Sequence, residues 1–192
     1  MINIGIISDF EKDFMPHLAT VEALKHSGDK LGINVGVKWI ATESLKESTK
    51  VINTFDGIWI SPGKLYKSVK GAVNGIQVAR ESNIPTFGTC RGFQHLMIEF
   101  GRNVLGLSGN EIKNNDPFHS KIVLMRKECS LDDKWIDIKI QADSIAGVSY
   151  PKLSISEQDV CSFEISEDYY EEIEAKGLII QGIDTVRYSA RC

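Results

Sequence analysis

The chain has 192 residues, of which 42% are hydrophobic and 25% are charged. This composition is typical of a globular protein large enough to bury one core, and it argues against a disordered or fibrous chain. The formal net charge of -4 provides no excess of cations to neutralise phosphates, so it disfavours a nucleic-acid partner and favours a small-molecule ligand. We expect a single domain over residues 1–192.

We expect neither a signal peptide nor a membrane anchor, because a short apolar segment follows Met1 without a basic stretch. We therefore expect a cytoplasmic protein without a membrane partner. The cysteines lie far apart and form no CxxC pair, which is typical of reduced thiols. They are Cys90, Cys129, Cys161 and Cys192. Because the histidines also lack ligand spacing, we expect no metal and no cofactor.

The first part of the chain alternates between short apolar segments and amphipathic ones. Runs rich in β-branched residues predict four strands. These are residues 2–8, 35–40, 56–61 and 84–88. Apolar residues at helical spacing predict the segments between and after them to be helices. These are residues 18–31, 45–55, 69–81 and 93–100.

Strands that alternate with helices predict an α/β fold with a doubly wound, mainly parallel sheet flanked by helices, as in flavodoxin-like proteins. Ligands of such sheets bind beyond the carboxyl ends of the strands, where the loops at residues 9–16, 62–68 and 89–92 would meet. After Asp116 the pattern changes to a strand-rich C-terminal part, which we expect to cover the edge of the sheet. Its predicted strands are residues 121–127, 135–141, 178–183 and 186–190, with one helix over 167–176.

The strongest local signal is IPTFGTCRGFQHLMIEF, in which an apolar strand leads through residues 88–92, here called the cysteine turn, into an amphipathic helix. On such a turn Cys90 would project above the sheet, and the neighbouring glycines would permit a strained backbone. The positive end of a helix lowers the pKa of a cysteine thiol, and the amide of Arg91 could stabilise an oxyanion. On position alone, an inert buried cysteine is an equal alternative.

The GTCRGFQ segment resembles the nucleophile motif of class I glutamine amidotransferases. The surrounding sequence resembles the amidotransferase domain of CTP synthases in particular. FDGIWISPG, RNVLGL and YYEEIEAKGLIIQG extend the likeness over most of the chain. The resemblance implies hydrolysis of glutamine, or of a related small amide, through a thioester with release of ammonia. It also implies that Cys90 is the nucleophile, that Gly63 and Arg91 flank the oxyanion, and that Gln94 holds the substrate.

The sequence departs from this family at several positions. No H-x-E motif, which in the family supplies the histidine base and the glutamate that orients it, occurs in the 192 residues. Either the chain is short relative to its relatives or this branch has abandoned the usual triad. Lys64 follows Gly63 where the family has a second glycine. Asn114, or Glu111 if the loop shifts, aligns with the glutamate that pairs with the substrate ammonium group, and Ser162 aligns with an arginine.

These departures keep a second function open, namely a catalytically degenerate binding or regulatory domain, or a redox-sensing thiol, on the same fold. The SPGKLYKSVKG segment lacks the spacing of a phosphate loop. We interpret its Lys64, Tyr66, Lys67 and Lys70 as a solvated basic loop, with binding of an anionic substrate as the weaker alternative. The ATP-using domain that precedes the amidotransferase domain in CTP synthases is absent from this sequence, so a partner synthetase and a homo-oligomer both remain open.

The missing H-x-E also leads to a geometric prediction. We expect no histidine within hydrogen-bond reach of the Cys90 sulfur, which is about 3 to 3.5 Å. His17, His26 and His95 lie on segments that should point elsewhere. His119 follows a loop and is interpreted as a surface residue, and a bond between it and Cys90 would overturn the expectation.

Overall fold

The computed structural model describes residues 1–63, 65–107, 124–126, 134–159 and 163–185. The chain divides into two compact units, Met1–Ser120 and Lys121–Cys192. The expectation of one domain over 1–192 therefore stays a prediction. None of the described helices is both long and apolar enough to cross a bilayer.

The first unit contains a parallel sheet of four strands in the order β2-β1-β3-β4. The strands are β1 Ile2–Ile7, β2 Val35–Ile40, β3 Gly57–Ile60 and β4 Thr86–Gly88. Each of the four was predicted from its apolar run. With the helices between the strands, this sheet confirms the α/β fold with a mainly parallel sheet flanked by helices.

Helices connect these strands. They are α1 Met15–Leu31, α2 Ser44–Glu47, a 3-10 helix Lys50–Thr54, α3 Val69–Glu81 and α4 Arg91–Asn103. The helix predicted over 45–55 is interrupted, because Ser48 adopts an extended conformation with φ -154° and ψ 131°. The start of α3 at Val69 matches the prediction. The Ser68 hydroxyl caps this end of the helix by accepting a hydrogen bond from Gly71 N at 2.9 Å.

The core of this unit lies between the sheet and the helices. Its central side chains include Ile7 and Ile60 from the strands and Leu45, Ile52 and Ile76 from the helical segments, all at most 1% exposed. Burial of each such side chain contributes about 1.5–3 kcal/mol. Ile7 and Ile60 are the last residues of β1 and β3. The core therefore anchors the carboxyl ends of these strands, which lead into the loops of the candidate site.

The second unit is strand-rich, as predicted. Strand β5 (Leu124–Arg126) pairs with β8 (Phe163–Ile165), and β6 (Lys134–Ile140) pairs with β7 (Ser154–Asp159) and β9 (Gly182–Asp184), all antiparallel. Its helical segments are α5 Ile145–Ser149, a 3-10 helix Glu167–Tyr169 and α6 Tyr170–Ala175.

Several elements of this unit differ from the sequence-based predictions. The strands β7 and β8 and the helix α5 were missed, because segments such as SISEQD in β7 contain few apolar residues to show a period. The strand predicted over 178–183 begins only at Gly182. The strand predicted over 186–190 lies outside the described residues, and coverage of the sheet edge by this part stays a prediction.

Candidate functional site

Cys90 lies between the end of β4 at Gly88 and the start of α4 at Arg91. Its side chain is exposed, and its backbone has φ 51° and ψ -111°. Asn83 is the other non-glycine residue with positive φ in the part of the chain that the structure describes. A side chain in this region of conformational space costs about 1–3 kcal/mol. The strain that the sequence led us to expect at the glycines of the cysteine turn falls on Cys90 itself.

The cysteine turn packs directly on the end of β3. A Cβ atom added at Gly92 would collide with the carbonyl group of Ile60, and one added at Gly88 would collide with the Leu96 side chain. Thr89 N also donates a hydrogen bond to Ile60 O at 3.2 Å. The two glycines are therefore required for close approach, which brings the start of α4 against the strand that leads into residues 61–63.

Residues 61–63, here called the carbonyl segment, follow β3 directly. The Tyr66 hydroxyl donates a hydrogen bond to Ser61 O at 2.6 Å. The next carbonyl, Pro62 O, accepts a hydrogen bond from the Ser61 hydroxyl at 2.8 Å and lies 3.1 Å from His17 Nε2. Side chains from the loop that follows the segment and from α1 therefore hold two successive carbonyl groups.

Gly63 is the third residue of the carbonyl segment. Its carbonyl oxygen accepts a hydrogen bond from Arg91 Nε at 3.2 Å, whereas its N–H has no acceptor among the described residues. A Cβ atom built on Gly63 would lie 3.6–3.7 Å from the side chains of Tyr66, His17 and Ser8. Because Arg91 immediately follows Cys90, this contact joins the carbonyl segment to the cysteine turn.

His17 is 1% exposed and lies near the start of α1. Its Nδ1 accepts a hydrogen bond from Glu11 N at 3.0 Å, so in the neutral ring the proton is on Nε2 and is donated to Pro62 O. Ser8 Oγ lies 3.3 Å from the same nitrogen. Three aromatic rings pack around the imidazole with centroids 4.8–5.8 Å away: Phe10, Phe14 and Trp39. Sequence reasoning missed this residue, because nothing local links it to residue 62.

Asp9 connects three loops at the carboxyl ends of the strands. Its Oδ1 accepts a hydrogen bond from Thr42 N at 3.1 Å, and its Oδ2 accepts from Thr42 Oγ1 and from Lys67 N, each at 2.7 Å. Thr42 Oγ1 in turn accepts from Ser68 N at 2.9 Å. The only sequence signal for this role is that a carboxylate directly follows β1, where a ligand-binding loop begins.

Tyr66 and His95 form a buried aromatic pair with ring centroids 4.5 Å apart. They are 7% and 1% exposed, so the interpretation of Tyr66 as part of a solvated loop is wrong, whereas Lys67 and Lys70 are exposed as expected. Burial raises the pKa of Tyr66, and burial lowers the pKa of His95 to about 4. His95 Nδ1 donates to Arg91 O at 2.8 Å, which leaves His95 Nε2 without a partner among the described residues.

Of the remaining predicted site residues, the structure describes Gln94 alone. Gln94 is 4% exposed, and its Oε1 has no hydrogen-bond partner in the part of the chain that is described. It lies in the first turns of α4, beside the cysteine turn. Lys64, Glu111 and Asn114 lie outside the described residues. Their proposed contacts with substrate therefore stay predictions, as does the alignment of Ser162.

None of the three described histidines is hydrogen-bonded to Cys90. The imidazoles of His17 and His95 bind Pro62 and Arg91, and His26 is exposed on α1. His119 lies outside the described residues, so the expectation for the whole chain stays a prediction. No cluster of three or more His, Cys, Asp or Glu side chains suited to a metal ion occurs among the described residues.

The sequence profile of the glutamine amidotransferase class-I family matches residues 17–180. This range includes the carbonyl segment, the cysteine turn and most of both units. The chain therefore belongs to the class I glutamine amidotransferase family.

The relatives of this chain include CTP synthases. The chain is 31% identical to the CTP synthase of Staphylococcus carnosus, over 95% of this chain and 36% of that protein. It is 30% identical to the CTP synthase of Staphylococcus aureus, over 94% of this chain and 36% of that protein. The chain thus spans about a third of the length of the curated relatives it matches.

A solved structure of a CTPS domain is also similar to this chain. The chain is similar to the glutaminase domain of Trypanosoma brucei CTPS with bound acivicin, with a TM-score of 0.83 and 25% sequence identity. The similarity covers 100% of this chain and 78% of that one. The resemblance to the CTP synthase branch, inferred from RNVLGL and its neighbours, is therefore confirmed.

Proposed function

We propose that this chain is a thiol-dependent amide hydrolase in which Cys90 attacks the side-chain amide of glutamine or of a related small amide. The observation that carries the proposal is the conformation of Cys90, which is exposed at the N-terminal end of α4 with φ 51° and ψ -111°. A strained residue on a strand-to-helix turn is the arrangement that presents a nucleophile above a sheet.

The proposed reaction has two steps. The thiolate of Cys90 adds to the amide carbon, the carbon–nitrogen bond breaks, and ammonia leaves with one added proton, so that a thioester remains on the sulfur. Water then adds to the thioester, the carbon–sulfur bond breaks, the carboxylic acid forms, and the thiol of Cys90 is regenerated. In each step a negative charge develops on the carbonyl oxygen, and nearby N–H donors lower its energy.

Two amides support the stabilisation of that oxygen. Arg91 is the first residue of α4, and the amides of a first helical turn point out of the helix end toward an anion. The Gly63 N–H has no acceptor among the described residues, and its peptide is tethered to Arg91 through the Gly63 carbonyl. Gln94, Lys64, Glu111 and Asn114 complete the proposed substrate contacts.

The acceptor of the ammonia would come from a second domain or protein. The matched relatives are named CTP synthases and are almost three times as long as the matched region. We therefore propose a partner synthetase, with a homo-oligomer as the alternative assembly. A cytoplasmic location stays part of the same proposal.

A second candidate function is a binding or regulatory domain, or a redox-sensing thiol, that keeps this fold without turnover. It is favoured by the sequence, which contains no H-x-E, and by the engagement of the His17 and His95 imidazoles elsewhere. A protein without a general base near the sulfur would assist neither the attack nor the departure of ammonia. Such a domain would bind an amide ligand and would not hydrolyse it.

Ammonia release from glutamine by the full-length protein tests these alternatives. We expect turnover that Cys90→Ser lowers by at least about 100-fold, and a glutamyl thioester on Cys90 that intact mass spectrometry detects after acid quench. Cys129→Ser is the matched control, because it removes a thiol elsewhere in the sequence. Binding of glutamine without ammonia or thioester would support the regulatory domain, and turnover that survives Cys90→Ser would exclude Cys90 as the nucleophile.

A further inference from the structure

The carbonyl segment is held at three successive carbonyl groups by three side chains from separate places in the first unit. Tyr66 binds Ser61 O, His17 binds Pro62 O, and Arg91 binds Gly63 O. In a trans peptide the N–H points away from the C=O of the same unit. The bond from His17 to Pro62 O therefore also sets the direction of the Gly63 N–H.

We propose that His17 is a positioning residue that aims the Gly63 N–H at the oxyanion formed on the substrate of Cys90. This inference rests on the proposed function, because it assigns the orientation of one of its two oxyanion donors. His17 does not touch the reacting atoms. It acts through the Pro62–Gly63 peptide.

The surroundings of His17 suit it to this task. The bond from Glu11 N to Nδ1 selects the tautomer that has its proton on Nε2, so the donor is the ring nitrogen that faces Pro62 O. The rings of Phe10, Phe14 and Trp39 pack around the imidazole, which is 1% exposed. Close packing fixes its rotamer, so the direction of the donor is set before a substrate binds.

Gly63 is fixed from the opposite direction by the residue next to the nucleophile. Arg91 Nε donates to the Gly63 carbonyl at 3.2 Å, while His17 holds the preceding carbonyl at 3.1 Å. The Gly63 N–H lies between these two carbonyls along the chain and has no acceptor among the described residues. A donor that is held on both sides and left without an acceptor is what stabilisation of a transient oxyanion requires.

Three substitutions of His17 separate its hydrogen bond with Glu11 N from its hydrogen bond with Pro62 O. His17→Gln places an amide N–H near the position of Nε2 and can restore the bond to Pro62 O. His17→Asn places its amide near Nδ1 and can keep only the bond from Glu11 N. His17→Phe keeps the ring packing and loses both bonds. His26→Phe is the matched control, because His26 is exposed on the same helix.

In steady-state assays of glutamine hydrolysis, we expect His17→Phe and His17→Asn to lower kcat about 10- to 100-fold with little change in KM. His17→Gln should recover most of the loss, and His26→Phe should leave kcat unchanged. A residue with a merely structural role would not show this dependence on the position of the donor. Wild-type kcat in the Phe and Asn variants, in a protein with Cys90-dependent turnover, would overturn the inference and leave the proposed function intact.

A second measurement does not require turnover. The amide resonance and the hydrogen-exchange rate of Gly63, measured by NMR, should change in His17→Phe and His17→Asn and return toward the wild-type values in His17→Gln. If the wild-type protein lacks Cys90-dependent turnover, the proposed function is wrong. If the resonance and exchange rate of the Gly63 amide are unaffected by all three substitutions, the positioning role of His17 is wrong, whatever the turnover. If the Phe variant does not fold, the comparison of Gln with Asn still decides the question.

Discussion

The guanidinium group of Arg80 on α3 donates three hydrogen bonds, at 2.8–3.1 Å, to the carboxylate of Glu99 on α4. Glu99 is 1% exposed, whereas the Arg80 side chain is 35% exposed. Asn103 Nδ2 donates a further bond to the same carboxylate at 3.0 Å. This pair fixes the helix that begins at the cysteine turn against its neighbour.

Arg80→Met should lower the free energy of unfolding by roughly 2–3 kcal/mol, because it leaves the Glu99 carboxylate buried without its cation. The value is below the full cost of breaking a buried pair, since water reaches the arginine. Urea unfolding at neutral pH measures it. Lys25→Met is the control, because Lys25 pairs with Glu22 on the exposed surface of α1, and its effect should stay below about 1 kcal/mol. Equal effects of the two substitutions would contradict a special role for Glu99.

Gly92→Ala should destabilise the first unit although alanine favours a helix by about 1 kcal/mol. The added methyl group would collide with the carbonyl group of Ile60, which is backbone and cannot rotate away. We expect a net loss of about 1–3 kcal/mol in thermal or urea unfolding. Gly75→Ala in α3 should lose less, because its methyl group meets the flexible ends of the Leu45 and Ile7 side chains. A larger loss at Gly75 would show that α4 adapts easily at the cysteine turn.

Asp9→Asn should loosen the loops that carry the carbonyl segment. The two carboxylate oxygens accept three hydrogen bonds from Thr42 and Lys67, and an asparagine would direct an NH₂ group at one of these donors. We expect a loss of about 1–3 kcal/mol in the free energy of unfolding. Asp56→Asn is the matched control, because Asp56 accepts its hydrogen bond from Asn3 N at an exposed position. If the control is equally destabilised, Asp9 has no special role in joining the loops.

Acid should destabilise the protein through His95. Burial lowers the pKa of His95 in the folded chain to about 4, below the usual value of 6.5. Between these values the unfolded chain binds the proton more readily, so the stability contributed by this residue is full above pH 6.5 and falls as the pH approaches 4. The shift corresponds to roughly 3 kcal/mol.

Urea titrations at pH 7 and pH 4.5 of the wild type and of His95→Leu measure this contribution. The difference in stability between the two pH values should shrink in the variant, because the leucine does not titrate. His26→Leu is the control, since it removes an exposed histidine on α1 and should change the difference less than His95→Leu does. An unchanged pH dependence in His95→Leu would show that other groups cause the acid sensitivity.

The sequence alone determined the features that depend on neighbours along the chain. Short apolar runs in the first unit predicted its four strands, and apolar residues on one helical face predicted the bounds of α3. The cysteine turn was predicted from the strand, the glycines and the helix that surround Cys90. Weak patterns failed in the second unit, where β7 and α5 contain too few buried apolar side chains to reveal a period.

Only the tertiary structure decided which polar groups meet at the candidate site. His17 reaches Pro62 across 45 residues, and Asp9 reaches Lys67 across 58, and no local pattern predicts either pair. Parallel strands bring the loops that follow them to one edge, so residues distant in sequence become neighbours there. The lysine-rich segment around Tyr66 did not predict that Tyr66 is buried against His95. Whether a loop side chain faces the solvent or a neighbouring ring depends on how the loop folds over the sheet.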